Sequence, residues 1–135
     1  MPKYKTYCAI IFNEKGEFLL TRRNREPFLG RWALVSGIGE SRNGVGAEEG
    51  VINEVAADLG TNSFSGTKQF SILIEGDAHT DEVIVFAGTI HEYEITINPT
   101  YSAGYSWVPR EKIPELGELA FEHGNLIQKY LAEHI

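Results

Sequence analysis

The sequence predicts an α+β domain whose elements form layers in the order α, β, α. Stretches of alternating apolar and polar residues, typical of strands, occupy much of the chain. One segment of helical period lies among them, and a second lies near the C-terminus. With 135 residues, of which 42% are apolar, the chain is large enough for a core of its own. We therefore interpret residues 1–135 as a single domain.

The β layer is predicted from patterns of period two. Residues 4–12 alternate in this way, and turn residues then lead into a second strand at residues 18–20. A short apolar segment at residues 32–35 precedes a glycine-rich stretch. Later strands are predicted at residues 70–74, 83–91 and 93–97, and the strand-forming part ends at residues 107–109.

Two helices complete the predicted fold. The first is predicted over residues 47–59, where the apolar residues fall on one stripe. Glu48 and Glu49 favour its N-terminal turn through the helix dipole, and Gly60 stands where a helix commonly ends. The second helix is predicted over residues 119–131 from the spacing of its leucine, isoleucine and tyrosine residues.

Composition and charge exclude several classes of function. With 12 Lys+Arg against 19 Asp+Glu, the net charge of −7 speaks against binding to a nucleic-acid polymer. No apolar run approaches the roughly 18 residues of a membrane span. The N-terminal residues alternate like a strand rather than forming an apolar signal core, and the single cysteine, Cys8, forms no intrachain disulfide. We expect a cytoplasmic protein without membrane contact; the sequence leaves a homodimer open.

Two acidic residues of the first helix are the candidate catalytic and metal-binding groups. Glu54 and Asp58 lie four residues apart, one turn apart on the same helix face. Small neighbours, Gly50 and Ala57 among them, leave room for a ligand. Oxygen ligands on one rigid face suit Mg²⁺, which keeps positions open for water and phosphate. On spacing alone, a solvated acidic helix face is the more common arrangement.

Substrate-binding candidates lie between the second strand and the glycine-rich stretch. Arg22, Arg23 and Arg25 carry guanidinium groups, which match the geometry of phosphate. The solvated end of a strand is an equally good interpretation of these arginines. Phe28 is a candidate for stacking on a base, although aromatic residues in such positions more often belong to the core.

The stretch from Phe28 to Glu40, followed by the helix through Gly60, resembles the Nudix (MutT-like) hydrolase family. The box of that family reads Gly, five residues, Glu, seven residues, Arg-Glu, aliphatic, any residue, Glu-Glu, any residue, Gly, aliphatic. The positions that match are Gly39, Glu54, Val55 and Gly60, with Asp58 in place of a Glu. The box is degenerate, because Val45, Asn53, Ala57 and Thr61 depart from it. The opening hairpin, Trp32 and residues 107–111 also have counterparts in the family, so the resemblance covers nearly the whole chain.

The resemblance implies a mixed β-sheet sandwiched between helices and a metal-dependent pyrophosphohydrolase. Its substrate would be a small molecule with a nucleoside diphosphate linkage, a nucleoside triphosphate for example. Mg²⁺ (or Mn²⁺) would be held by Glu54, Asp58 and a backbone carbonyl, which we assign to Gly39 with Gly37 as the alternative. Glu54 and Asp58 would be the catalytic residues, with Glu54 as the candidate general base.

The departures from the box support an alternative function. Val45 and Asn53 replace both members of an ion pair that the resemblance implies, and Ala57 removes a carboxylate beside Asp58. The loss of a whole ion pair leaves no unpaired buried charge, so the fold can persist. The alternative is a catalytically impaired Nudix fold that acts as a nucleotide-binding or regulatory module.

Overall fold

The computed structural model describes residues 4–37, 46–75 and 80–134. The strands in this part of the chain are β1 (Tyr4–Ile11), β2 (Phe18–Arg23), β3 (Trp32–Ala33), β4 (Val35–Gly37), β5 (Ser65–Glu75), β6 (Thr80–Thr89) and β7 (Ser102–Val108). The α-helices are α1 (Ala47–Leu59) and α2 (His123–Glu133), and 3₁₀ segments span Glu92–Glu94 and Arg110–Leu116. None of the described helices is long and apolar enough to cross a membrane.

The β layer consists of two sheets. The four-stranded sheet has the order β4-β1-β6-β5 and is mixed, since β1 runs parallel to β6 and antiparallel to β4. The three-stranded sheet has the order β3-β2-β7 and is antiparallel. The pairing of β2 with β7 shifts register between Arg22 and Arg23, at the end of β2. The mixed β layer that we predicted is therefore divided into two sheets.

Two apolar clusters join the sheets to the helices. Because side chains alternate along β1, its two faces contribute to different clusters. Ala9 and Ile11 pack in the cluster that contains Val51 and Val55 of α1. Cys8 and Ile10 pack in the other cluster, to which α2 contributes Leu126 and Ile127. The sheets thus lie between α1 and α2, which confirms the α+β fold and the predicted order of layers.

Helix α1 has the bounds that the sequence predicts. It ends because Gly60 adopts a left-handed conformation with φ 70°, and the Gly60 N–H donates to the Ala56 carbonyl at 2.9 Å. Gly50 brings the helix close to β1, since a Cβ added there would lie 2.7 Å from the Tyr7 ring. This close approach fixes the rotation of α1, and so fixes the direction in which Glu54 faces.

The predicted strand at residues 93–97 is wrong. The 3₁₀ segment Glu92–Glu94 occupies its first half, and the following backbone binds the C-terminal end of α1. The Thr96 N–H donates to the Leu59 carbonyl at 2.7 Å, and the Asn98 N–H donates to the Asp58 carbonyl at 3.2 Å. These donors satisfy carbonyl groups at the end of α1, which have no partner within the helix. The segment therefore serves as an extended helix cap.

The terminal helix begins four residues later than the sequence predicts, at His123 rather than at residue 119. Phe121 has φ 54°, which a helical residue does not adopt, so the helix starts only after it. The preceding residue also binds outside the helix, because the Ala120 N–H donates to the Trp32 carbonyl at 2.9 Å. This bond attaches the approach to α2 to strand β3.

Candidate active site

A cavity of about 250 Å³ lies between the end of β2, strand β4 and helix α1. Four charged side chains line it: Arg23, Arg25, Glu54 and Asp58. A larger groove of about 540 Å³ lies between the β1–β2 turn and α2, but none of the sequence-predicted site residues that the structure describes lines that groove. The smaller cavity is therefore the candidate active site, and it brings together both predicted catalytic carboxylates and two of the three candidate phosphate-binding arginines.

The two carboxylates come from consecutive turns of α1. Burial, followed by the negative charge of Glu54, raises the pKa of Asp58 to about 7. The charges of Arg25 and Arg23 act in the opposite direction without cancelling these effects. A pair of carboxylates held together in this way favours the binding of a cation between or beside them.

Strand β4 ends against the first of these carboxylates. A Cβ added at Gly37 would overlap the carboxylate of Glu54, so only glycine allows Glu54 to lie against the backbone of β4. The backbone at Gly37 is therefore next to Glu54, as one of the two assignments of the carbonyl ligand requires. The other assignment, Gly39, lies outside the described residues.

Alternation along β2 selects the arginine that faces the cavity. Thr21 and Arg23 both line the cavity, as expected of residues two apart on a strand. The Arg23 Nε donates to the Pro27 carbonyl at 2.6 Å, and the Arg23 guanidinium carbon lies 4.9 Å from the centre of the Phe121 ring. Burial lowers the pKa of Arg23, and the positive charge of Arg25 lowers it further. Arg23 is thus held in the cavity wall beside a second cation.

Arg22 and Phe28, which the sequence also predicts as substrate-binding residues, do not line this cavity. The Arg22 Nε donates to the Gly30 carbonyl at 3.2 Å. The Phe28 ring packs edge-on against the Phe121 ring with centroids 4.9 Å apart. Phe28 is therefore connected to the cavity through Phe121, on which Arg23 also stacks, and a role in binding stays a prediction for both residues.

A buried histidine, which sequence reasoning missed, holds the cavity wall in place. His123, at the start of α2, is 4% exposed. Its Nδ1 accepts the Leu34 N–H at 3.0 Å, so Nε2 carries the ring proton and donates to Ser36 Oγ at 3.2 Å. Burial lowers the pKa of His123 to about 4, with a smaller effect from the charge of Arg23. Leu34 and Ser36 line the cavity, so α2 fixes the strand that leads to Gly37.

The residues of the cavity fit a divalent cation with few protein ligands. Within the described residues, no three His, Cys, Asp or Glu side chains form a cluster that could hold a metal ion. Glu54 and Asp58 nevertheless share the cavity, and the backbone of Gly37 lies against Glu54. Two carboxylates and a carbonyl, with the remaining positions left to water or phosphate, form a donor set that Mg²⁺ accepts.

The β layer lies between two helices, and α1 carries paired carboxylates against which the glycine at the end of β4 packs. These features are those of a Nudix domain. The chain belongs to the NUDIX domain family, whose match extends over residues 2–130. This match confirms the membership of the Nudix (MutT-like) family that the sequence suggested.

Solved structures share this fold along nearly the whole chain. The NUDIX domain of Shewanella oneidensis NrtR, solved with ADP ribose, is 18% identical with a TM-score of 0.83, covering 100% of this chain and 90% of that one. The MutT protein of Methanosarcina mazei Go1 is 28% identical with a TM-score of 0.80, covering 98% and 96%. A C. elegans Ap4A hydrolase is 17% identical with a TM-score of 0.73, covering 96% of each chain. No curated protein matches the chain.

Proposed function

We propose that the protein is a Nudix hydrolase that uses Mg²⁺ or Mn²⁺ to cleave a nucleoside diphosphate-linked substrate. The observation that carries this proposal is the presence of Glu54, Asp58 and Arg23 in one cavity. A diphosphate substrate needs a cation to neutralise its charge and donors to bind its phosphate oxygens. Carboxylates can hold the cation, and a guanidinium can supply the donors. The structural relatives support this class of substrate, since they include a MutT protein and an Ap4A hydrolase.

Each residue of the cavity has a separate task in this proposal. Glu54, Asp58 and the carbonyl of Gly37 or Gly39 would hold the cation, which when bound would neutralise the diphosphate charge and lower the pKa of the attacking water. Glu54 accepts the proton of that water as the general base. Arg23 binds a phosphate oxygen with the terminal N–H groups of its guanidinium, since its Nε is already bound to the Pro27 carbonyl.

Arg22 and Phe28 lie away from the cavity and are candidates for contacts with the remainder of the substrate. Phe28 stands beside Phe121, and the Arg31 guanidinium carbon lies 5.1 Å from the centre of the Phe28 ring. A nucleobase that reaches this region would meet aromatic rings and positive charge, both of which favour stacking.

A second candidate function follows from the charge balance of the cavity. The family box has two adjacent acids where this chain has Ala57 and Asp58, so the cavity holds two carboxylates against two arginines. This balance weakens the binding of a cation and favours the binding of an anionic ligand. In this alternative the protein is a nucleotide-binding or regulatory module, and the NUDIX domain of NrtR, solved with ADP ribose, supports it by its similar fold.

Release of phosphate and pyrophosphate distinguishes the two functions. Nucleoside triphosphates and diphosphate-linked nucleotides would be incubated with the protein in Mg²⁺ or Mn²⁺. We expect Glu54→Gln to lower turnover by at least about 100-fold, since it removes both a ligand and the general base. Glu49→Gln makes the same change at an exposed residue of α1 and should leave turnover unchanged.

The outcomes of this experiment separate clearly. Turnover that is lost in Glu54→Gln and retained in Glu49→Gln would establish the hydrolase and identify its substrate class. Full turnover in Glu54→Gln would remove Glu54 from the mechanism. Silence of the folded wild-type protein across the whole panel would favour the binding module.

A further inference from the structure

Arg25 and Tyr101 line the cavity and lie outside the residues of the Nudix box. The Arg25 guanidinium carbon lies 4.4 Å from the centre of the Tyr101 ring. Stacking of this kind occupies the flat face of a guanidinium and leaves its N–H edge available for hydrogen bonds. Arg25 therefore presents several donors to the cavity from a position that an aromatic ring supports.

The turn that carries Tyr101 is attached to both walls of the cavity. On the side of α1, the Asn98 N–H donates to the Asp58 carbonyl at 3.2 Å. On the side of β2, the Asn24 N–H donates to the Tyr101 carbonyl at 3.0 Å, and Asn24 Nδ2 donates to the Pro99 carbonyl at 2.7 Å. Because the turn is bound at both ends, the ring on which Arg25 stacks has a fixed position relative to the carboxylates.

The distribution of charge within the cavity is asymmetric. Arg23 and Arg25 occupy the wall formed by the end of β2 and the segment that follows it, and Glu54 and Asp58 occupy the wall formed by α1. Each guanidinium stacks on an aromatic ring, Arg23 on Phe121 and Arg25 on Tyr101. The two cations are close enough to repel, which is one cause of the lowered pKa of Arg23. An anion placed between them would relieve that repulsion and accept hydrogen bonds from both.

We propose that Arg25, supported by Tyr101, joins Arg23 in binding the phosphoryl group that lies farther from Glu54 and Asp58. This inference rests on the proposed function only in taking the ligand to be a diphosphate, and it does not require hydrolysis. Arg25 is a binding residue, whereas Tyr101 is a positioning residue that acts through Arg25. Because the guanidinium contacts phosphate oxygens directly, its contribution persists with and without a divalent cation.

Calorimetric titration with methylenediphosphonate tests this subsite, because the carbon bridge of that diphosphate analogue resists hydrolysis. The titration would be run in Mg²⁺ and repeated in EDTA. Arg25→Gln should weaken binding about tenfold or more in both buffers, as expected for the loss of a charged hydrogen-bond donor. Arg110→Gln makes the same change at an exposed residue remote from the cavity and should leave the affinity unchanged.

Two variants of Tyr101 separate support of Arg25 from a general effect on the fold. Tyr101→Phe keeps the ring on which Arg25 stacks and should bind the analogue like the wild type. Tyr101→Leu removes the aromatic face and should weaken binding about threefold, in the range of an exposed cation–π contact. Equal weakening in both Tyr101 variants would overturn the positioning role.

Binding of the analogue tests the phosphate subsite, and hydrolysis of nucleotides tests the proposed function separately. An affinity of Arg25→Gln within about twofold of the wild type would overturn the subsite, as would a wild type that does not bind the analogue in either buffer. Binding that depends on Arg25, in a protein that hydrolyses no nucleotide of the panel, would support the subsite and remove the hydrolase. Hydrolysis that depends on Glu54, with binding unaffected by Arg25→Gln, would support the hydrolase and overturn the subsite.

Discussion

Helices α1 and α2 both place an ionisable side chain beside the cavity, partly buried at Asp58 and buried at His123, but under opposite conditions. Asp58 of α1 lies beside a second carboxylate, and burial and that charge raise its pKa to about 7. His123 of α2 has a hydrogen-bond partner for each ring nitrogen, and burial keeps it neutral with a pKa of about 4. A buried polar group with satisfied partners thus maintains the architecture, whereas one held against a like charge marks a place for a ligand.

The largest effect is expected from the loss of the histidine. His123→Leu should lower the free energy of unfolding by about 3 kcal/mol, because the buried Leu34 N–H loses its acceptor and Ser36 loses its partner. His123→Asn keeps an acceptor near the position of Nδ1 and should cost about half as much. Urea denaturation at pH 7.5 measures both values. A leucine variant as stable as the wild type would show that the two hydrogen bonds do not maintain the wall.

For Asp58 of α1 the opposite pattern is expected, a loss of turnover without a loss of stability. Asp58→Asn should lower turnover about 100-fold, since it removes a cation ligand. The same substitution should raise the free energy of unfolding by about 1 kcal/mol at pH 8 in EDTA, because it removes a partly buried charge beside Glu54. Turnover and urea denaturation would be measured on the same preparation. A loss of stability in this variant would place Asp58 with His123 as a structural group.

The lowered pKa of His123 makes the stability of the protein depend on pH. The pKa of His123 is about 4 in the folded protein and about 6.5 in the unfolded chain, so only the unfolded state takes up a proton between these values. Stability from this group is complete above pH 6.5 and declines as the pH falls toward 4. The wild type should lose about 2 kcal/mol between pH 7 and pH 5 relative to His123→Asn. Parallel pH profiles for the two proteins would contradict this assignment.

A smaller effect is expected when a carboxylate is added to α1. Ala57 lines the cavity next to Asp58, so Ala57→Glu places a further oxygen ligand beside the pair. We expect the affinity for Mn²⁺ to rise about tenfold, measured by calorimetry. Ala57→Gln has nearly the same shape without the charge and serves as the control. An unchanged affinity in Ala57→Glu would mean that the cation binds elsewhere.

The parts of the site that were predictable depend on local sequence. The bounds of α1 follow from its helical period and from Gly60, and the same period places Glu54 and Asp58 on one face. Alternation alone did not distinguish Arg22 from Arg23, because it does not reveal which face of β2 turns toward the cavity.

The remaining features depend on contacts between distant segments. Ser36 and His123 are 87 residues apart, and an isolated histidine in the sequence carries no signal for such a partner. Residues 93–97 have the composition of a strand, but Glu94 and Ile95 donate within the 3₁₀ segment and the Thr96 N–H donates to the Leu59 carbonyl at the end of α1. Tyr101 lies in a loop without a motif, so only the folded chain shows that it supports Arg25.

The carboxylates of α1 are expected to bind a cation, and this can be measured directly. Relaxation of water protons by Mn²⁺ reports this binding without any turnover. We expect wild-type protein and Glu49→Gln to bind Mn²⁺ alike, and Glu54→Gln and Asp58→Asn each to bind it at least about tenfold more weakly. Equal binding by all four proteins would show that the cavity of Glu54 and Asp58 is not the metal site, and would contradict a metal-dependent hydrolase at this cavity.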